Sequence, residues 1–126
     1  MKIENAYGKE LLLDIHNCDV SMFNREEIDR YFQELCDLID MEKCERFWWD
    51  DLETPEDEKQ TSPHTKGMSA VQFILTSNIT IHSLDILEKV FVSIFSCKDF
   101  DSKAAGRFTA DYFKGKIVNS TVVVRE

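Results

Sequence analysis

Apolar and polar positions follow two different periods along the first half of the chain. The run ELLLDIH, residues 10–16, is short and largely apolar, which predicts a buried strand. Apolar side chains then recur at helical spacing from Arg25 to about Asp40, and Asn24 with Glu27 three positions later is typical of a helix start. The aromatic run from Cys44 to Trp49 predicts a second strand.

The second half of the chain carries more strand patterns than helix patterns. Residues 50–66 are rich in acidic side chains and have no apolar period, which predicts a surface loop. Asp99 or Asp101 can begin a second helix, with a stripe of Ala and aromatic residues up to Tyr112. Four further strands are predicted over Met68 to Leu75, near Ile79 to His82, over Val90 to Ser96, and over Asn119 to Val124.

The predicted element order is β-α-β-β-β-β-α-β. Strands with single amphipathic helices between them favour an α+β fold, a two-layer α/β sandwich in which two helices cover one face of a mainly antiparallel sheet. The chain has 126 residues, which suits one domain, so we expect residues 1–126 to form a single unit.

Charge, the N-terminal sequence and cysteine content limit the expected partners, the expected location and the expected metal content of the protein. The net charge is −9 and the basic residues are scattered, which argues against nucleic acid and against an anionic membrane. Residues 1–5 lack the apolar stretch of a secretion signal, so we expect a cytoplasmic protein. The four cysteines form no C-x-x-C pair and the three histidines are dispersed, so no metal site is expected.

Polar residues stand in an unusual place at the end of the apolar run VQFIL, residues 71–75. The sequence TSNITIHS follows directly, with Ser77 and, five residues on, His82. Cys97 lies in the next apolar strand region. Burying a hydroxyl without a partner costs about 1–3 kcal/mol. These three side chains are therefore candidates for chemistry.

Their spacing resembles that of the short prokaryotic S-adenosylmethionine decarboxylases. In that family a G-x-S segment is followed by a serine, a histidine and a cysteine at set distances. Here GMS at residues 67–69 is followed by Ser77 eight residues after its serine, His82 five later and Cys97 fifteen later. NCD at residues 17–19 is similar to the end of the family's first strand.

The resemblance implies that the chain is made as a proenzyme and cuts itself before Ser77. The Ser77 hydroxyl would attack the Thr76 carbonyl in an N→O acyl shift. Elimination from the ester and hydrolysis of the resulting dehydroalanine would then leave a pyruvoyl group. The products would be a β chain, residues 1–76, and an α chain, residues 77–126.

The resemblance also assigns roles to the other matched residues. It implies that His82 handles protons during processing, that Ser69 supports the ester stage, and that Cys97 gives a proton to the substrate after CO₂ is lost. The pyruvoyl ketone from Ser77 would form a Schiff base with the substrate amine and act as the electron sink. The implied cofactor is thus made from the chain, without pyridoxal phosphate and without metal.

Several positions depart from the family pattern. Thr76 stands where the family has glutamate, and Asn78 where it has histidine. Ile86 occupies the position of a glutamate that holds the ribose, and Asp85 comes one residue early. Pro63 falls where an aromatic residue stacks on adenine. The motif therefore predicts the reaction better than the substrate.

These departures leave two classes of small-molecule substrate open. Losing a ribose carboxylate and an adenine platform would weaken a nucleoside ligand by several kcal/mol. Trp48 or Trp49 could replace the platform for S-adenosylmethionine, the default substrate by resemblance. Asp50, Asp51 or Asp85 could instead bind the distal cation of L-ornithine or L-arginine, which gives an alternative decarboxylase on the same scaffold.

The resemblance further implies a homodimer of processed protomers acting in polyamine and spermidine synthesis, with sites near or across the interface. An alternative from another class is a non-catalytic homologue that stays uncleaved and binds or regulates a partner. The changes at Thr76 and Asn78 keep that alternative open.

Overall fold

The computed structural model describes residues 5–126, and its helices and strands follow the predicted order. Single-turn 3-10 helices at Val20–Met22 and Glu56–Glu58 lie in the connections. The main elements are β1 (Gly8–His16), α1 (Arg25–Leu38), β2 (Lys43–Trp49), β3 (Gly67–Ile74), β4 (Ser77–Leu84), β5 (Lys89–Ser96), α2 (Ser102–Phe113) and β6 (Lys116–Arg125).

The six strands form one sheet in the order β2-β3-β4-β5-β1-β6. Every neighbouring pair is antiparallel. The predicted α+β sandwich with an antiparallel sheet is confirmed. Consecutive strands β2 to β5 are neighbours, so most of the sheet is built from short-range hairpins, while β1 is inserted between β5 and β6.

Side-chain caps begin both helices. The Asn24 side chain accepts a hydrogen bond from the Glu27 N–H at 2.9 Å, as the sequence predicts for α1. At α2 the Asp101 side chain accepts from the Ala104 N–H at 3.0 Å. Asp101 is therefore the cap of the second helix, and Asp99 has a different role described below.

The hydrophobic core lies between the helices and one face of the sheet. Tyr31 of α1 is fully buried, with its ring centroid 5.0 Å from that of Phe113 in α2. Its hydroxyl shares a hydrogen bond of 2.8 Å with Thr109, so this large side chain is buried without an unsatisfied polar atom. The sheet contributes alternate aliphatic residues, chiefly Leu11, Leu13, Ile15, Ile79, Ile81, Val90, Val92 and Ile94.

The opposite side of the sheet, which we call the open face, faces away from both helices. It carries the intervening residues of each strand, which are half-buried or exposed. Large apolar side chains are exposed there, including Phe47, Trp49 and Phe73. Within residues 5–126, neither helix is long and apolar enough to cross a membrane.

Candidate active site

The connection between β3 and β4 consists of two residues, Leu75 and Thr76, because Ile74 pairs directly with Ser77. Thr76 has a φ of 56°, in the left-handed region. A β-branched residue seldom adopts this conformation, which costs about 1–2 kcal/mol. The Thr76–Ser77 peptide, where self-cleavage is predicted, therefore follows a strained residue.

Ser77 is the first residue of β4, and only 5% of it is exposed. β5 lies beside β4 with Phe95 opposite Asn78, which brings Cys97, just beyond the end of β5, to Ser77. The Cys97 backbone N–H donates a hydrogen bond of 2.9 Å to the Ser77 Oγ. The buried hydroxyl thus has a partner, and the antiparallel register brings together two residues twenty apart in sequence.

The Cys97 thiol lies in a polar and partly exposed position. Its Sγ is 2.8 Å from the Thr76 Oγ1. The hydrogen bond with the Thr76 hydroxyl is the largest cause that lowers the pKa of the Cys97 thiol, and the hydrogen bond with the Ser77 hydroxyl is the second. Burial of the thiol raises this pKa, but the net direction is downward. A thiol with a lowered pKa exchanges its proton more readily near neutral pH, as an acid or base must.

Two residues at the start of β1 contact the chain on either side of Cys97. A Cβ on Gly8 would lie 2.0 Å from the Ser96 carbonyl oxygen, so only glycine allows this approach. The Lys9 side chain is 1% exposed; its Nζ donates to the Phe100 carbonyl at 2.5 Å and pairs with Asp99 at 2.7 Å. Neither residue was predicted from the sequence. Lys9 could have been found, because it is in phase with the buried leucines of β1 and a lysine is rarely buried without a specific partner.

Ser69 and His82 form a second pair of predicted site residues. They stand directly opposite each other on β3 and β4. The Ser69 Oγ and His82 Nδ1 are 2.7 Å apart, within hydrogen-bond distance. His82 is exposed on the open face. A serine hydroxyl held by an imidazole is suited to moving protons.

The structure keeps these two pairs apart within one chain. Ser77 and His82 lie five residues apart on the same strand, which corresponds to about 17 Å at the rise of an antiparallel strand. Because the separation is an odd number of residues, their side chains also point to opposite faces of the sheet. Ser77 and His82 of one chain are therefore not in contact.

Trp48 and Trp49, the two candidate adenine platforms, point to opposite faces of β2. Trp48 packs against the core, with the Arg46 guanidinium 4.8 Å from its ring centroid. Trp49 lies on the open face opposite Ser69 and is 54% exposed. It lines a cavity of about 490 Å³ together with Ser69 and His82. Of the two, only Trp49 presents its ring beside predicted site residues.

Asp50 and Asp51 already have partners within the chain. The Arg25 guanidinium donates two hydrogen bonds to the Asp50 carboxylate, at 2.7 and 2.9 Å, and this holds the pKa of Asp50 below its ordinary value. Asp51 accepts a hydrogen bond of 2.7 Å from the Gln60 N–H. Both carboxylates thereby shape the loop after β2.

Asp85 shares a cavity of about 370 Å³ with Asp50 and Asp51, next to the start of α1. Burial raises the pKa of the Asp85 carboxyl, and the nearby Lys66 acts in the opposite direction. Asp85 follows the end of β4 that is remote from Ser77. The three candidate carboxylates are thus together, but far from Ser77 and Cys97 of the same chain.

The open face holds a further polar pair that the sequence reading missed. The Asn119 side chain donates to the Asp14 carboxylate at 3.0 Å. Both residues line a cavity of about 350 Å³ with His82 and Phe91. No sequence signal marks this pair, because Asp14 looks like any other outward polar residue of an alternating strand. Its contact with Asn119 arises only because β6 lies beside β1 in the sheet.

Two comparisons with known proteins concern the family and the fold of this chain. A family model described as S-adenosylmethionine decarboxylase matches residues 9–126. The fold is similar to the crystal structure of the adenosylmethionine decarboxylase from Aquifex aeolicus VF5, with a TM-score of 0.74 and 19% sequence identity, covering 95% of this chain and 91% of that chain. No curated protein sequence matches significantly.

Proposed function

Because this chain belongs to the S-adenosylmethionine decarboxylase family, we propose that it is a self-processing, pyruvoyl-dependent decarboxylase acting on S-adenosylmethionine. The observation that carries the proposal is the surroundings of the Thr76–Ser77 peptide. A strained Thr76 precedes a buried Ser77, and the Ser77 hydroxyl is held by the residue that bears the Cys97 thiol. The hydrogen bond alone would satisfy any buried hydroxyl, and it is its combination with the strained Thr76 and the neighbouring thiol that supports a reactive serine.

Processing changes bonds only at Thr76 and Ser77. The Ser77 Oγ bonds to the Thr76 carbonyl carbon while the bond from that carbon to the Ser77 nitrogen breaks, giving an ester. Elimination then breaks the ester bond at the Ser77 Cβ and releases Thr76 as a carboxylate. Water finally replaces the nitrogen, which leaves as ammonia, and residue 77 becomes a pyruvoyl group. The left-handed strain at Thr76 is released when the peptide breaks.

The residues around Ser77 fit such a group. The pyruvoyl group supplies an electron sink for loss of CO₂ from an amino acid held through its amine. In the intact chain the Cys97 Sγ lies 2.8 Å from the Thr76 Oγ1, beside residue 77. After processing, this thiol would return a proton to the substrate carbon. Gly8 and Lys9 hold the segment on which this thiol stands.

The active form in this proposal is a homodimer. Ser69 and His82 lie on the open face, at the end of β3 and β4 opposite to Ser77. They act on Ser77 if a second copy of the chain places its own Ser69–His82 pair there. The exposed Phe47, Trp49 and Phe73 on the same face favour its burial against another protein surface.

The choice of S-adenosylmethionine over a basic amino acid rests on Trp49. Its exposed ring lies beside Ser69 and His82, where it offers a stacking surface to an adenine. The case for ornithine or arginine is weaker, because the Asp50 carboxylate that could bind their distal cation is already paired with Arg25. We therefore assign the adenine-stacking role to Trp49.

Denaturing mass spectrometry of the purified protein tests processing. We expect two fragments in place of the 14.7 kDa chain, ending at Thr76 and beginning at residue 77. The second fragment should be lighter by one ammonia than a peptide that begins with serine. Ser77→Ala should remain one intact chain, and Ser93→Ala on β5 should be cleaved like the wild type.

Release of CO₂ from S-adenosylmethionine, ornithine, arginine and lysine tests the substrate. We expect release from S-adenosylmethionine, with a raised KM in Trp49→Ala. A wild-type chain that stays intact and inactive would instead identify a non-catalytic homologue. A cleaved chain that releases CO₂ only from ornithine or arginine would move the proposal to the basic amino acids.

A further inference from the structure

The Thr76 hydroxyl stands between two groups that compete for its single proton. It donates to the Leu75 carbonyl oxygen at 2.7 Å. Its oxygen is also 2.8 Å from the Cys97 Sγ, and either atom can be the donor of that hydrogen bond. Because a hydroxyl both donates and accepts, Thr76 can hydrogen-bond the sulfur in either protonation state.

We propose that Thr76 is a positioning residue that controls the proton on Cys97. It contacts the reacting sulfur through its side chain, in addition to contributing its carbonyl to the scissile peptide. The inference rests on the proposed function for the use of that proton, and its test below needs neither cleavage nor decarboxylation. It concerns a position where this chain departs from the family pattern.

The two hydrogen-bond arrangements differ in the protonation of the sulfur and in the direction of the Thr76 hydroxyl. When the thiol is neutral, the S–H donates to the Thr76 Oγ1 and the hydroxyl donates to the Leu75 carbonyl. When the proton has left the sulfur, the hydroxyl turns and donates to the thiolate. Hydrogen bonds to a charged acceptor are the stronger ones, so the net effect favours the thiolate. The lowered pKa of Cys97, with Thr76 as its largest cause, agrees with that direction.

The charged groups near Cys97 belong to three neighbouring segments. Lys98 follows it in the chain and lies 3.9 Å from the Asp40 carboxylate after α1. Lys9 of β1 pairs with Asp99 at 2.7 Å. Each charge has an opposite partner, which weakens its effect at the sulfur. The hydroxyls of Thr76 and Ser77 therefore dominate the proton affinity of Cys97.

The test uses the intact chain in a Ser77→Ala background with Cys44→Ser, which removes the other exposed thiol. The rate of iodoacetamide alkylation at Cys97 is measured from about pH 6 to about pH 10 by mass spectrometry. Thr76→Val removes the hydroxyl and keeps the β-branch, so the strain of the turn is retained. Thr76→Ser keeps the hydroxyl, and Thr80→Val on β4 serves as the control for losing a threonine hydroxyl elsewhere.

We expect Thr76→Val to shift the alkylation profile to higher pH and to slow alkylation near neutral pH by about threefold or more. Thr76→Ser should restore the rate to within about twofold, and Thr80→Val should not change it. Thr76→Ala provides a second hydroxyl-free variant if Thr76→Val does not fold. An unchanged profile in the folded hydroxyl-free variant, or failure of Thr76→Ser to restore it, would overturn the proposal.

Discussion

At the scale of single residues, Thr76 combines two properties that are usually found apart. Its backbone is in the left-handed region, and its hydroxyl contacts a thiol. Glycine and asparagine adopt a positive φ at little cost, whereas a β-branched threonine does not. The strained threonine therefore lowers the stability of the intact chain in exchange for a hydroxyl beside Cys97.

Thr76→Asn should relieve that strain. In the uncleavable Ser77→Ala background we expect the free energy of unfolding to rise by about 1 kcal/mol, because asparagine tolerates the left-handed region. The melting temperature should increase by about 3–5 °C, which circular dichroism measures. Thr80→Asn is the matched control, and it should lower the melting temperature because Thr80 is in an extended strand.

A melting temperature that stays equal or falls in Thr76→Asn would contradict the assignment of strain to this residue. The same substitution in a chain with Ser77 intact adds a functional readout. We expect slower self-cleavage, since less strain is released when the peptide breaks. Cleavage at the wild-type rate would show that the strain does not contribute to processing.

At the scale of elements, sequence patterns were enough to predict the six strands and the two α-helices in order, but not the two 3-10 helices. The apolar stripe of α1 supplies Ile28, Tyr31, Phe32 and Leu35, all fully buried. The turn between β3 and β4 was the difficult part. Leu75 and Thr76 are not typical turn-forming residues, and the strand that follows them was therefore predicted near Ile79. Pairing in the sheet begins this strand, β4, at Ser77.

The candidate site could be predicted as a set of residues but not as an arrangement. The resemblance of their spacing to the family motif identified Ser69, Ser77, His82 and Cys97. Which of them meet depends on strand register, and the turn length that sets this register was not predicted. Ile74 pairs with Ser77 in an antiparallel register. Ser69 lies five residues before Ile74 and His82 lies five residues after Ser77, so Ser69 is opposite His82. That register produces two separate pairs.

Asp99 links β1 to the loop after β5 through Lys9. The hydrogen bond from Lys9 holds the pKa of Asp99 below its ordinary value, so the folded chain binds this proton less tightly than the unfolded chain. The stabilisation is therefore present above the ordinary aspartate pKa of about 3.9 and is lost as the pH falls through the lower folded value. Stability of the Cys97 segment should follow the same pH dependence.

Asp99→Asn should lower the melting temperature by about 2–5 °C at neutral pH, because buried Lys9 loses a charged partner. The difference from the wild type should shrink as the pH falls below about 3.9. Asp111→Asn, at an exposed position of α2, is the control and should change little. A difference between Asp99→Asn and wild type that does not depend on pH would argue against the ion pair as its cause.

At the scale of the whole molecule, the two pairs of site residues lie at opposite ends of one hairpin. Ser77 and Cys97 are at the β3–β4 turn, and Ser69 and His82 are at the other end on the open face. No rotation of side chains closes a gap of about 17 Å along a strand. A second chain in antiparallel orientation would bring its Ser69 and His82 to Ser77 of the first chain, and the reverse would hold at the other end. Each of the two sites of a dimer would then depend on residues of both chains.

Mixing two inactive variants distinguishes action between chains from action within one chain. His82→Ala keeps Ser77 but should not be cleaved alone, and Ser77→Ala keeps His82 but has no nucleophile. Co-expressed with different affinity tags, they would form mixed dimers, and in the proposed dimer Ser77 of one chain meets His82 of the other. We expect the His82→Ala chain to be cleaved in the purified mixed dimer, as denaturing mass spectrometry detects.

The control is the double variant Ser77→Ala, His82→Ala, which must fail to rescue cleavage of the His82→Ala chain. If the copurified mixed dimer remains uncleaved, or if His82→Ala is cleaved alone, His82 does not act on the neighbouring chain and the dimeric site is wrong.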